Sequence, residues 1–412
     1  MAMARLGWWI MNGLVGLLLL GTFVFQDVAG TWATYVVLVL NLILILWALI
    51  WPPRVGYDPG AWFFVIAWAL IAIAFTITNQ PGRTDYLLAA NFVLFALYPL
   101  LSGALQRFAR PGNSLVIGIL SLVGAIVSFA VAGYEVWVLN WGRAVGYEAN
   151  AIRFGTIALL LGFFALVGMF AAKGWRRYLF MLGPVFGIGG VLLSGSRGPL
   201  LALPALIVLC LVMLPIRRAV SIGVVLVLVV AAGGLYVVKP SAYGRVAALP
   251  GIITDVLSGT TIPRSFDESG NIRYTILQGA ITAFQKSPLV GYGWYWKTTV
   301  VAKYMSWDVG FGDPTHAHLH SDILDFGVSA GAVGLLAYLL VLLAPIASLF
   351  SAPRDSQRLP RIFGVLVLSI VYLFCGAVNL MFGFELMTTM YVVVAAVFIG
   401  YCRDTPPQGR PA

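Results

Sequence analysis

The chain has 412 residues, of which 61% are hydrophobic and only 10% charged. A soluble globular domain carries about 25% charged residues, so that class is excluded and the composition is that of an all-α polytopic integral membrane protein. The formal net charge of +10 comes from basic residues scattered between apolar runs, not gathered on one face, which excludes nucleic acid as a partner. Cys210, Cys375 and Cys402 lie within or at the ends of apolar runs, with no spacing for a disulfide framework or a CxxC metal site.

Apolar stretches of roughly 17 to 25 residues are long enough to cross a bilayer. Twelve occur, near 7–25, 31–51, 61–78, 85–105, 114–133, 152–171, 178–193, 199–214, 219–238, 319–350, 362–379 and 385–401. Pro52-Pro53, Pro81-Gly82, Pro111-Gly112, Pro215 and Pro353 punctuate the joints, as residues that cannot continue a helix should. With the N-terminus inside, fourteen basic residues, from Arg5, Arg54 and Arg107 to Arg403 and Arg410, sort to one side. Only Arg83, Arg143, Arg153 and Arg197 fall in the short segments on the other. That bias predicts both termini in the cytoplasm. The first run lacks a following A-x-A site and reads as an uncleaved first span. Three regions result: spans one to nine over 1–238, an outer loop domain over 239–318, and the last three spans with a short tail over 319–412.

Ser194-Gly195-Ser196-Arg197-Gly198-Pro199 is a short outer turn. Pro199 suits the first helical position and Ser196 or Gly198 the cap, so the next helix turns its positive dipole end outward beside a permanent cation. That combination suits a phosphate or pyrophosphate; the competing reading has Arg197 snorkelling to lipid headgroups. In the outer loop, Ile272, Ile276, Ala280, Ile281 and Phe284 recur at helical spacing, predicting a helix from Ser269 to Lys286 with Arg273 in its first turn. After Pro288 comes the cluster Gly291-Tyr292-Gly293-Trp294-Tyr295-Trp296, either an interfacial aromatic belt or a stacking surface for sugar rings.

Thr315 to Gly334 holds the three histidines of the chain, His316, His318 and His320, with Asp322 and Asp325, against a long apolar run. A group that titrates near neutral pH at the edge of a membrane span marks a candidate site. Three readings stand: a metal site from alternating histidines in an extended segment, histidines packed at a helix start, and a general base or anion ligand. A helix beginning near Ser321 would turn His318 away from the other two. Asp322 and Asp325 either orient His320 or cap the helix, and Glu385 stands on the same outer side at the start of the last span.

His320-Ser321, nine residues, then Gly331-Ala332-Val333-Gly334 resembles the signature of the bacterial O-antigen ligases. The resemblance extends to the Ser-Gly-Ser-Arg-Gly turn, to Asn271-Ile272-Arg273-Tyr274, to Pro288-Leu289-Val290-Gly291-Tyr292-Gly293, and to twelve spans with one large outer loop before the tenth. It covers residues 178 to 340 closely and the rest by topology. Ser321 stands where asparagine is frequent, which argues against the polymerase branch. The resemblance implies a GT-C-like membrane glycosyltransferase of the bacterial inner membrane. Such an enzyme moves a glycan from undecaprenyl pyrophosphate to the lipid A core at the periplasmic face, with membrane lipids as its surroundings.

In that reaction a base takes the proton of an acceptor hydroxyl and cations hold the diphosphate as charge builds on it. His320 suits the first task, Arg197 and Arg273 the second, with His318, Asp322 and Glu385 as further candidates and no cofactor or metal implied. Direct displacement inverts the anomeric carbon. An O-antigen polymerase, an O-linked protein oligosaccharyltransferase and, from another class, a lipid-linked glycan transporter compete with this reading. Transporters carry paired repeats and broken helices with charge at mid-membrane, whereas here the span cores are nearly uncharged and the polar groups gather at one outer face.

Overall fold

The computed structural model describes residues 2–52, 57–78, 85–147, 150–215, 268–305 and 318–404. The expected span 219–238, residues 239–267 of the outer loop, and His316 lie outside the described residues. Among the described residues the structure is helical, with no strand. Eight helices are long and apolar enough to cross a membrane, and Arg197–Met213 and Glu385–Tyr401 are shorter apolar helices. The protein is a multi-pass helical membrane protein.

The elements that place the site are α1 (Ala2–Leu20), α2 (Gln26–Ile50), α3 (Pro59–Ile77), α4 (Val93–Gln106), α5 (Asn113–Gly133), α6 (Ala151–Ala165) and α7 (Leu182–Ser194). They continue with α8 (Arg197–Leu200), α9 (Leu203–Met213), α10 (Glu268–Lys286), α11 (Lys297–Ala302), α12 (Asp322–Ser351), α13 (Arg358–Val378) and α14 (Glu385–Ala396). The 42-residue helical run Trp9–Ile50 is two helices folded back at Gly30, whose φ of 46° no helix accommodates. Gln26 Nε2 donates to Thr34 Oγ1 across the bend at 2.7 Å, and Gly21 packs on Val37. The sequence places its first two spans on either side of this bend.

Small residues set the closest helix crossings. Gly162 on α6 meets Gly183 and Gly187 on α7 so closely that a Cβ on any of them would overlap the facing backbone. In a membrane, where lipid tails are as apolar as leucine, such backbone approach supplies the dispersion contact that holds helices together. Gly60 on α3 likewise lies against Ala344 and Ser348, so α3 runs alongside the second half of α12.

The sequence expectation of one unbroken span over 319–350 is corrected. Gly331 takes φ 60° and ψ −147°, and the chain reverses there. Gly327 packs on Leu335, and Gly334 lies against the Phe326 carbonyl; residues eight apart are nowhere near each other in a continuous helix. A reversal orphans the last carbonyls of one half-helix and the first amides of the next. The loop after Pro288 satisfies both sets. Tyr292 N–H donates to Val328 O at 3.0 Å and Gly293 N–H to Ser329 O at 2.8 Å. On the other half, Ala332 N–H donates to Pro288 O at 2.7 Å and Val333 N–H to Leu289 O at 3.3 Å. Gly291, at φ 67°, lets this loop press onto the half-helix backbone, where a Cβ would collide with Val328 and Ser329. Two motifs 40 residues apart in sequence are thus the two sides of one backbone joint.

Candidate active site at the outer end of the bundle

The histidine segment enters α12 from a non-helical stretch. Ser321 is the N-cap by position, in extended geometry, but its hydroxyl does not cap. It points to Gly376 O at 3.4 Å instead. Because the helix begins only at Asp322 and His320 sits at φ 57°, His318 is not turned away as expected. Its ring lies 4.4 Å from that of His320, edge to face. His318 also meets Phe384 at 5.5 Å between centroids, and the Arg153 guanidinium carbon stands 3.5 Å from the centroid of that phenyl ring. A cation on an aromatic face within this distance is a favourable electrostatic contact. His320, His318, Phe384 and Arg153 therefore form one contiguous row.

The arginine turn joins the row from α7. Ser196 is the N-cap residue of α8, but its hydroxyl donates to Ala151 O at 2.7 Å, tying the turn to the first residue of α6. Pro199 is the third helical residue, not the first. Asn150 caps α6 by accepting from Ile152 and Arg153 N–H, both at 3.1 Å. On the other flank Arg143 Nε donates to Ser194 O at 3.1 Å. Gly198 packs against Val378, at the end of α13, and Arg273 Nη1 donates to the carbonyl of the same Val378 at 3.3 Å. The turn carrying Arg197 and the first turns of α10 carrying Arg273 thus converge on one helix end. The helix predicted from Ser269 runs from Glu268 to Lys286, with Ile276, Ala280 and Ala283 buried; Ile281 is exposed instead.

Neither aspartate caps α12. Asp322 turns into the protein, fully buried, and its Oδ1 accepts from Met381 N–H at 2.8 Å and Phe382 N–H at 3.0 Å. It fixes the connection from α13 to α14, which carries Phe384. Asp325 reaches backward to Leu319 N–H with both oxygens, at 3.2 and 3.1 Å, and pairs with Lys297 Nζ at 2.8 Å. Glu385 is exposed at the start of α14, immediately after Phe384.

Lys297 is a residue that sequence reading missed. Burial pulls its ammonium below the ordinary lysine range, and the facing Asp325 opposes that shift. The available signal was Asp325 itself, since a carboxylate entering an apolar run needs a cation. The aromatic cluster is also corrected. Trp294 packs among Phe75, Phe92 and Phe326 at 6.0, 5.4 and 5.7 Å, so it belongs to the core; Tyr295 alone of the trio is exposed. Among the described residues no group of three or more His, Cys, Asp or Glu is placed to hold a metal.

A multi-pass membrane protein with a broken helix and a basic, histidine-bearing corner is a class that holds both transferases and transporters. The break at Gly331 gives the chain a discontinuous helix, a feature that transporters also carry. Comparison narrows the class. Residues 182–339 match the family described as O-antigen ligase, and this stretch spans the arginine turn, Arg273 and the histidine segment. Members of that family are membrane glycosyltransferase-like ligases and polymerases. The chain is also 23% identical over 280 residues to an uncharacterized protein of Haemophilus influenzae, covering 66% of this chain and 67% of that one.

Proposed function

We propose that the protein is an O-antigen ligase, transferring a glycan from undecaprenyl pyrophosphate to a hydroxyl of the lipid A core on the periplasmic side of the bacterial inner membrane. The observation that carries this reading is the meeting at Val378, where the Arg197 turn packs and Arg273 donates a hydrogen bond. Two guanidinium-bearing elements distant in sequence flank one point, which suits a diphosphate carrying two negative charges. The topology that goes with it has twelve spans and the loop domain outside.

His320 serves as the base. As the acceptor oxygen attacks the anomeric carbon, its proton passes to the imidazole, and the glycosidic bond to the diphosphate breaks with its electrons moving onto the departing phosphate. Arg197 and Arg273 stabilise that growing charge, in surroundings where such contacts are stronger than in water. The attack comes from the face opposite the leaving group, so configuration inverts. The leaving group is already good, and the base contributes about 100- to 10,000-fold, so no metal is required. His318 and the Phe384–Arg153 stack wall the site on one side.

The test is reconstitution of the full chain in proteoliposomes with a polyprenyl-pyrophosphate glycan and lipid A core, in chelator. Formation of the coupled product with inverted linkage is expected. Glycan elongation on the carrier instead would make the protein a polymerase, and movement of intact donor across the bilayer without coupling would make it a transporter.

A further inference from the structure

Among the described residues, His320 and Asn140 are the non-glycine positions with positive φ. This conformation crowds the Cβ against the backbone and persists only where surrounding structure fixes it. For His320 the fixing residue is Asp325. Its carboxylate takes Leu319 N–H on one side of the histidine, and its own N–H donates to Ser321 O at 2.8 Å on the other. Both flanks of the turn therefore end on one residue. Asp325 in turn is clamped by Lys297, with 1% and 0% of the two side chains exposed. The Lys297 ammonium lies 3.0 Å from the centroid of the Trp294 ring, itself wedged among core aromatics, so the cation is held from two directions.

We infer that the buried Lys297–Asp325 pair is a positioning device that holds residues 319–321 in the strained turn aiming the His320 imidazole at the outer corner. The inference rests on the reading of His320 as the base and assigns two further residues to it. Neither touches substrate. The geometry separates this role from that of an ordinary buried ion pair, because the carboxylate is spent on the backbone next to the histidine and not only on its counter-ion. A pair kept for stability alone is replaceable by apolar side chains of similar volume, often without loss. A positioning pair is not, since a leucine at 325 offers Leu319 N–H no acceptor.

The experiment compares wild type, K297R, K297M and the K297M/D325L double variant in the reconstituted coupling assay. Each is also measured for melting temperature, and for the rate at which diethyl pyrocarbonate modifies His320 in an H316Q/H318Q background that leaves a single histidine. K297M alone strands a buried carboxylate and is expected to lower the melting temperature. The double variant is expected to recover stability yet lose about 100-fold in kcat, the scale of a small misplacement of a reacting group, with KM for the donor little changed. Its His320 should react severalfold faster, and K297R should restore kcat.

Recovery of kcat and of the modification rate together in the double variant would overturn the inference. Should that variant not fold, H320G decides the matter. Glycine at a clamped positive φ is expected to raise the melting temperature, and a fall would defeat the claim of a held strain. H320A tested alone keeps the two ideas apart: wild-type coupling there defeats the base assignment, while the modification rates still judge the clamp.

Discussion

Helix α13 carries an arginine-rich cluster at each end, roughly 26 Å apart from Arg361 to Val378 at the helical rise per residue, and the two are built to opposite ends. At the start of α13, Arg361 is 1% exposed and its donors are divided among Pro353 O, Cys402 O and both oxygens of Asp355, at 2.8 to 3.1 Å. Asp404 adds bonds to Ser356, so the chain leaving the last helix is stapled to the loop that precedes α13. At the other end Arg273 donates to the Val378 carbonyl and Arg197 precedes Gly198, which packs on Val378, and both these arginines and Arg153, on Phe384, are only half-buried. A guanidinium whose donors are all met by fixed backbone and carboxylate oxygens is part of the scaffold. One at a rim, on a turn braced from behind, can meet an anion that arrives from outside. The residue type is common to both clusters, and burial separates them.

Substitutions at the two ends of α13 should therefore fail differently. H320A is expected to cost about 100- to 10,000-fold in kcat, read in the reconstituted assay, with the melting temperature near wild type. Next in size, R197A and R273A should each lower kcat by about 100- to 1,000-fold, the scale seen for removing one charge-stabilising donor; a loss confined to KM would make them binding residues only. At the other end, R361A should cost about 3 to 5 kcal/mol of stability by stranding buried acceptors, while the folded fraction keeps wild-type kcat. Equal effects of R361A and R273A on turnover per folded molecule would erase the distinction. The smallest effect is expected for S196A, about 1 kcal/mol from the lost bond to Ala151 O, with kcat lowered through a loosened Arg197 turn.

Legibility followed the range of the interactions. Most long apolar helices among the described residues, the turn at 194–199 and the loop helix were readable because hydropathy and helix signals are local: Glu268–Lys286 differs from the predicted helix by one residue at its start. The aromatic cluster misled because a tryptophan in a glycine-rich loop carries no mark of what it will pack against. Both roles offered for Asp322 and Asp325 assumed local partners. Apart from the Leu319 N–H that Asp325 takes, the residues that answer them, Met381, Phe382 and Lys297, are distant in sequence. Gly331 was readable as part of a signature but not as a break, since a single glycine in an apolar run is compatible with an intact helix; the reversal depends on Pro288 to Gly293 supplying its hydrogen bonds.

Composition and hydropathy by themselves determined that this chain is a bundle of membrane helices, because in lipid every backbone polar group must be satisfied within such elements. They also marked the histidine segment and Arg197, because ionisable groups beside apolar runs are costly to keep, whereas His320 within that segment and Arg273 were singled out by the resemblance to the O-antigen ligases. Only the tertiary structure decided which of these groups share a corner, where the long helix breaks, and which acids are scaffold. Those outcomes are set by contacts between segments from tens to some two hundred residues apart, for which no spacing along the chain holds a record.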